Sequence, residues 1–379
     1  MTDQKILNAQ MWNAIRGRDS SELDEGSLQA LTVALDLGAN PNCLYVDEKG
    51  NPGTQRWHSK LTPLLYITEH MYDESPNFRY QEQMAALLIK KGANVNARDD
   101  SNYTPLMNAV KGNALNTAKL LINKGADIDA RWEYGNPKLY SNDWDIRTAL
   151  GFVRTSEMMQ MLLDHGANPN KSEDNFGNSP LHQACEHMYY DYCGGENANQ
   201  YLKMIAMLLD HGADPNAWNL RESTPMMIIC GADIDEKYIK DVSSDVKLAV
   251  IKMLFEHGAR INAESYRKTA LGYAAASEDW TVVRALAFNG AHINRDVVPY
   301  MEGEKRERVQ KHLGEIVDEL LEFERQEAER RRQEKLREQM TWKPSPAQKM
   351  ADLQQGQKIV DAMGKAKKGS IHKPDEHSM

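Results

Sequence analysis

Asn102-Tyr103-Thr104-Pro105-Leu106-Met107-Asn108-Ala109-Val110-Lys111-Gly112-Asn113-Ala114-Leu115-Asn116-Thr117-Ala118-Lys119-Leu120-Leu121-Ile122-Asn123-Lys124-Gly125-Ala126-Asp127-Ile128-Asp129-Ala130 reads as one complete structural unit. Thr104 is a residue type that caps free N–H groups at a helix start, and Pro105 suits the first helical position, where no N–H is needed. Leu106, Ala109 and Val110 share one face of the helix that follows. Lys111-Gly112-Asn113 breaks it, and a second helix carries Ala118, Leu121 and Ile122 on its apolar side. Gly125 closes that helix as a left-handed cap. Two helices of about ten residues cannot bury their apolar faces alone, so the unit calls for copies of itself on both sides.

The copies are present. A degenerate Leu-Leu-x-x-Gly-Ala signal recurs around Gly38, Gly92, Gly125, Gly166, Gly212, Gly258 and Gly290. The Thr-Pro-Leu signal recurs at Thr62, Thr104, Ser179 and Thr224, with weaker forms at Thr148 and Thr269. Leu181-His182-Gln183-Ala184 completes a Thr-Pro-Leu-His-x-Ala pattern once; elsewhere Leu65, Met107, Gly151, Met227 and Gly272 take the His position. With these motifs the chain resembles the ankyrin-repeat family, whose period is about 33 residues. The resemblance covers roughly residues 5–298 in seven units, the first degenerate. It implies an all-α solenoid of stacked helix pairs with turn or hairpin fingers along one edge, followed here by a long charged helix and a tail. It also implies a protein-binding module without catalysis of its own.

Departures from regular spacing mark where such a surface is specialised. Thr104 to Gly125 and Thr269 to Gly290 are 21 residues each, but Thr62 to Gly92 is 30, Ser179 to Gly212 is 33 and Thr224 to Gly258 is 34. Thr148 to Gly166 is only 18, which predicts a shortened first helix or turn. Two fingers, 38–62 and 125–148, are about double the usual length, and insertions in repeats map to loops that often bind.

Aromatic and Arg side chains on these excursions are the candidate partner contacts. They are Arg56 and Trp57 on the first finger; Trp132, Tyr134, Tyr140 and Trp144 on the second; Tyr189, Tyr190 and Tyr192 ahead of Gly194-Gly195; and Trp218 on a regular finger. Gly50-Asn51-Pro52-Gly53 predicts a hairpin tip for the first finger. The second finger mixes rings with Asn, Asp and Gly, giving area and adaptable hydrogen bonding together, and is the strongest of the candidates. Trp12 reads as a core plug.

Composition limits the classes of function. The 379 residues carry a formal charge of −9, with 41% hydrophobic and 27% charged residues. No run of about 18 apolar residues is present to span a membrane. The N-terminus lacks the basic and apolar regions of a secretory signal. Four cysteines (43, 185, 193 and 230) show no paired spacing, so a reducing, cytoplasmic setting is expected, with signal-less delivery into another cell left open. Residues 300–340 sum to −2 and 341–379 to +3, leaving −10 on the repeats. Such a surface repels a phosphate backbone, so nucleic acid is not an expected partner and a protein with a basic face is.

Little points to chemistry. His182, Cys185, His187 and Cys193 lie close in sequence, but their spacing matches no closed zinc framework, and no cofactor or metal is expected. His165, His211 and His257 each precede a closing glycine, where a cation interacts well with a helix C-terminus. A host-directed effector or inhibitor of bacterial or viral origin is the alternative function, and a metal-dependent enzyme in the inserted loops a further one.

Three segments are expected: repeats over 1–299, a capping and charged helix over 300–340, and a tail over 341–379. Val309, Leu313, Ile316, Val317, Leu320 and Leu321 form a stripe suited to covering the last repeat. Glu324–Gln339 has too few apolar residues for a sustained heptad, so a monomer is expected unless this helix pairs. Ser345-Pro346 starts a short amphipathic helix in the tail.

Overall fold

In a computed structural model of the chain, the described residues are 3–16, 23–45, 61–73, 75–134, 145–171, 176–190, 198–235, 242–265, 268–293, 303–341 and single positions between 348 and 358. They fall into two compact units, Met1–Ile316 and Val317–Met379.

The first unit is a succession of helix pairs. The first helices are α1 (Asp3–Arg16), α3 (Pro63–Glu69), α5 (Pro105–Lys111), a 3-10 helix (Ala149–Phe152), α8 (Pro180–Tyr190), α10 (Pro225–Ile229) and α12 (Ala270–Ala276). The second helices are α2 (Glu25–Asp36), α4 (Phe78–Lys90), α6 (Leu115–Asn123), α7 (Ser156–Asp164), α9 (Ala198–Asp210), α11 (Ser244–Glu256) and α13 (Trp280–Phe288). Each first helix packs on the first helix of the next pair, and most second helices do likewise, so a continuous apolar core runs between the two rows.

The capping chemistry works as the motif demands. Thr62, Thr104, Thr224 and Thr269 accept hydrogen bonds from the N–H groups of Leu65, Met107, Met227 and Gly272, with Pro at the first helical turn in the first three. In the Ser179 unit the buried His182 extends this brace. Its Nδ1 accepts the Ser179 N–H at 3.2 Å, so the ring proton sits on Nε2, which faces the Ser223 carbonyl of the next pair at 3.1 Å. The seven closing glycines have φ between 85° and 101°, a region that glycine enters without steric penalty.

Next to each closing glycine a side-chain ladder joins the repeats. The residue four beyond the glycine is Asn42, Asn96, Asn170, Asn216 or Asn262. Each donates through Nδ2 to the carbonyl of the following repeat's glycine (Gly92, Gly125, Gly212, Gly258, Gly290) at 2.9–3.0 Å. Each also accepts, through Oδ1, the N–H two residues past that glycine, at 2.6–2.8 Å. Asp129 holds the equivalent place in the third unit. A carboxylate has no donor, and Asp129 makes only the second bond, accepting the Asn168 N–H at 3.0 Å.

The histidines before the closing glycines use geometry rather than charge alone. Nδ1 of His165, His211 and His257 meets the carbonyl four residues back at 2.7–2.8 Å. A carbonyl only accepts, so the proton is on Nδ1. Nε2 of His257 then faces Asp210 of the preceding repeat at 3.3 Å, and Nε2 of His211 faces Asp164 at 3.6 Å.

Extra residues lengthen helices as well as loops. Second helices α4, α9 and α11 have 13 residues each, against nine in α6. The stretch after Gly231 is anchored at both ends by buried Ala232, Ile234 and Val242. In the degenerate first unit, Trp12 is buried, with its ring edge-on to Tyr45 and Tyr66.

Helix α14 (Gly303–Thr341) begins in the first unit. There Val309, Leu313 and Ile316 are buried, His312 stacks on Trp280 at 4.6 Å, and Arg308 pairs with Glu278, so its start covers the last repeat. In the second unit the same helix is laced by Arg325–Glu322, Arg330–Glu327, Arg330–Glu334 and Arg331–Glu327 pairs, with Leu321, Phe323 and Leu336 exposed.

Candidate functional site

The shortest repeat makes the most distinctive surface. Its first helix is a 3-10 helix of four residues, flanked by α5 with seven and α8 with eleven. Thr148 makes no side-chain cap to it, and the chain leaves at Val153 in an extended conformation. Where the middle of three side-by-side helices stops early, a notch opens between its neighbours. Thr155 secures the floor by capping α7 and donating to Asn113 at 2.9 Å. Gln200 of α9 donates to the Arg154 carbonyl.

The second long finger supplies one wall. Strand β1 (Trp132–Tyr134) pairs antiparallel with β2 (Asp145–Arg147), Trp132 opposite Arg147. The Trp132 ring is turned inward, 8% exposed, against Tyr103 at 5.0 Å and Phe152 at 5.7 Å between centroids, and these two rings are 5.6 Å apart. Three rings from three chain segments thus form one cluster, with contact energy beyond their burial. Lys111 lies 5.7 Å from the Tyr103 centroid and Arg147 5.6 Å from that of Phe152. The groove that results has a volume of about 720 Å³, and Arg154, His187 and Tyr201 complete its rim.

The expected contact residues are distributed unevenly around this geometry. Trp132 belongs to the groove, as its aromatic floor rather than as a projecting contact. Tyr134 contributes backbone to β1, and its side chain lies outside the described residues. Arg56, Trp57, Tyr140, Trp144 and Tyr192 also lie outside them. Tyr190 is partly buried at the end of α8 and its pKa is raised, chiefly by burial. Trp218 stands 45% exposed beside Arg260 and Ile261 in a separate concavity of about 590 Å³.

Tyr189 departs most from expectation. It is 1% exposed, its hydroxyl donates to the Ile229 carbonyl, and burial raises its pKa well above the ordinary tyrosine value. A long α8 carries Leu181, Cys185 and Tyr189 at intervals of four, so the ring falls on the core face. Beside it the buried Lys247 and Asp279 pair at 3.0 Å, and Ser244 also donates to Asp279. Burial pushes the Cys185 thiol up to about 12. Among the described residues no three His, Cys, Asp or Glu side chains gather as a metal ligand set, and none of the described helices is long and apolar enough to cross a membrane.

Tyr103, Lys111, Phe152, Arg154 and Tyr201 were not foreseen. The available signal was the short interval from Thr148 to Gly166, which located the notch but not the side chains that line it.

A family model described as ankyrin repeats (3 copies) matches residues 26–131 and 195–296, and one described as ankyrin repeats (many copies) matches 157–193. The chain belongs to the ankyrin-repeat family. A Rickettsia felis protein named for its ankyrin repeats is 36% identical over 146 residues, which span 37% of this chain and 60% of that protein, less than two thirds of its length. A crystal structure of an ankyrin repeat domain from Acinetobacter baumannii AYE covers 66% of this chain and 98% of its own, with 21% identity and a TM-score of 0.44. Ankyrin repeats are in general protein–protein interaction modules. In this ankyrin-repeat chain the irregular third-to-fifth repeats build the groove, and the regular ladder on either side holds it.

Proposed function

We propose that this ankyrin-repeat chain is a non-catalytic binding module that grips a partner protein across the notch of its shortened repeat. The observation that carries the reading is the Tyr103–Trp132–Phe152 cluster under an open groove, lined from three consecutive repeats. Ring clusters at the centre of a concave surface are where binding energy concentrates. The fingers, with Trp218 and the remaining aromatic candidates, extend the contact. The overall charge of −9 favours a partner whose wider face is basic. Where occupancy blocks the partner's own activity, the same grip makes the chain an inhibitor or effector. A cytoplasmic setting fits the free thiols Cys43, Cys185 and Cys230.

A peptide library displayed on phage and selected on the intact chain tests this. Enriched peptides should lose binding to Phe152→Ala and Tyr201→Ala, and the rim variant Tyr201→Ala should melt close to the parent. Peptides that bind these variants as well as the parent would remove the groove from the interaction.

A further inference from the structure

The groove has a sign of its own. Lys111, Arg147, Arg154 and His187 line it, and no Asp or Glu is among the described residues that line it. Lys111 and Arg154 are exposed, and among the described residues neither forms an ion pair. This local excess of cations sits in a chain of net charge −9, so it is not a consequence of composition. It is also interleaved with rings: Lys111 stands over Tyr103 and Arg147 over Phe152, which sets cationic heads beside two half-buried rings.

Resting on the binding-module reading, we infer that the groove takes an extended acidic segment of the partner, in which apolar side chains alternate with Asp or Glu. First helices of successive repeats lie roughly 8–10 Å apart, so a groove crossing three of them is about 20 Å long and accommodates roughly six extended residues. Alternate side chains of an extended segment point to opposite sides, which sets apolar groups onto the half-buried Tyr103 and Phe152 and carboxylates towards Lys111 and Arg154. Guanidinium forks bind carboxylates in two-pronged fashion, and the exposed Arg154 supplies one.

Two other occupants fit less well. The chain's own residues 341–379 carry +3, and the groove would repel them. A nucleic acid meets the cations of the groove but also the −10 of the surrounding repeats, so its many phosphates are disfavoured where a short acidic peptide is not.

Fluorescence polarisation on the full chain tests the inference with three fluorescein-labelled hexapeptides: alternating Phe and Glu, alternating Phe and Gln, and alternating Phe and Lys. The Phe–Glu peptide should bind best, by about tenfold or more over Phe–Gln, and weaken as salt rises. Lys111→Glu with Arg154→Glu should abolish that preference without changing the melting temperature, and should let the Phe–Lys peptide bind instead. Equal binding of Phe–Glu and Phe–Gln, lost together in Phe152→Ala, would overturn the acidic preference and leave the groove as a binding site. Binding of all three peptides that ignores both Phe152→Ala and the charge reversal would overturn both readings. Tighter binding of a labelled oligo-uridylate, with the same dependence on Lys111 and Arg154, would overturn the choice of a protein segment.

Discussion

Exchanging Asn216 for Asp changes one atom's chemistry and nothing of its size. Asn216 now donates to the Gly258 carbonyl at 3.0 Å and accepts the Arg260 N–H at 2.7 Å. In Asn216→Asp the acceptor survives and the donor becomes an oxygen facing another oxygen. One hydrogen bond of net worth about 1 kcal/mol is lost, and carboxylate–carbonyl repulsion, moderated by water at this half-exposed site, adds up to about 1 kcal/mol. The expected cost is therefore roughly 1–2 kcal/mol. The protein contains the reverse experiment. Asp129→Asn supplies the donor missing from the third unit and should stabilise by about 0.5–1 kcal/mol, less a few tenths for the exposed Lys171–Asp129 pair at 3.7 Å. Urea unfolding followed by circular dichroism reads both changes as shifts of the midpoint. The slope should hold constant, since a change of slope in a repeat protein signals lost cooperativity rather than a lost bond. Amide exchange at Arg260 should stay slow in Asn216→Asp, because its acceptor remains. The ladder carries no stability, and this reasoning fails, if Asn216→Asp melts with the parent while Asp129→Asn destabilises.

Three further changes probe other parts of the stack. A Cβ on Gly112 would lie 1.7 Å from the Met71 carbonyl oxygen, a backbone atom that cannot step aside, so Gly112→Ala should cost roughly 2–4 kcal/mol in chemical denaturation. Asp279→Ala strips the α13 cap and removes the carboxylate paired with the buried Lys247, at a cost of about 3–5 kcal/mol. The double variant Lys247→Met with Asp279→Asn should cost clearly less, and equal losses would mean that the pair is not coupled. Burial raises the pKa values of Cys185 and Cys230 and holds both thiols protonated in the fold, whereas the unfolded chain ionises them near pH 9. Their contribution to stability should then be full below pH 9 and fall as pH rises towards about 12, where Cys185 itself ionises in the fold. Neither thiol should react with a disulfide reagent at pH 8 until urea is added.

A feature is legible in this sequence to the degree that it is local. Thr104, Pro105, Leu121 and Gly125 act within one helix pair, and their roles are set by neighbours three or four residues away. Tyr189 lies ahead of Gly194-Gly195 and would be a loop ring on a first helix of seven residues, the length of α5. Four more residues of α8 moved it from surface to core, and its interval of four from Cys185 was the sign of that. Tyr103, Trp132, Phe152 and Tyr201 meet across nearly a hundred residues of chain. Nothing in their local pattern distinguishes them from core or solvent-facing rings, because the notch that gathers them is a property of three repeats packed together.

That notch exists because two features of the repeat vary independently. The interval from the Thr or Ser that opens a unit to its closing glycine runs from 18 to 34 residues. The interval from each closing glycine to its ladder residue is four in every case: 38 to 42, 92 to 96, 125 to 129, 166 to 170, 212 to 216 and 258 to 262. The ladder therefore fixes how one repeat registers on the next, whatever the length of the helices above it. A first helix can lose a turn at Ala149–Phe152, or α8 gain one, without the stack slipping. Depth and lining of the binding surface can change while the spine stays constant. Removal of the spine at one step, as in Asn216→Asp, should then loosen the register of that step while the groove three repeats wide at Trp132 keeps its geometry, because its own steps are held by Asp129, Asn170 and the Thr155–Asn113 bond.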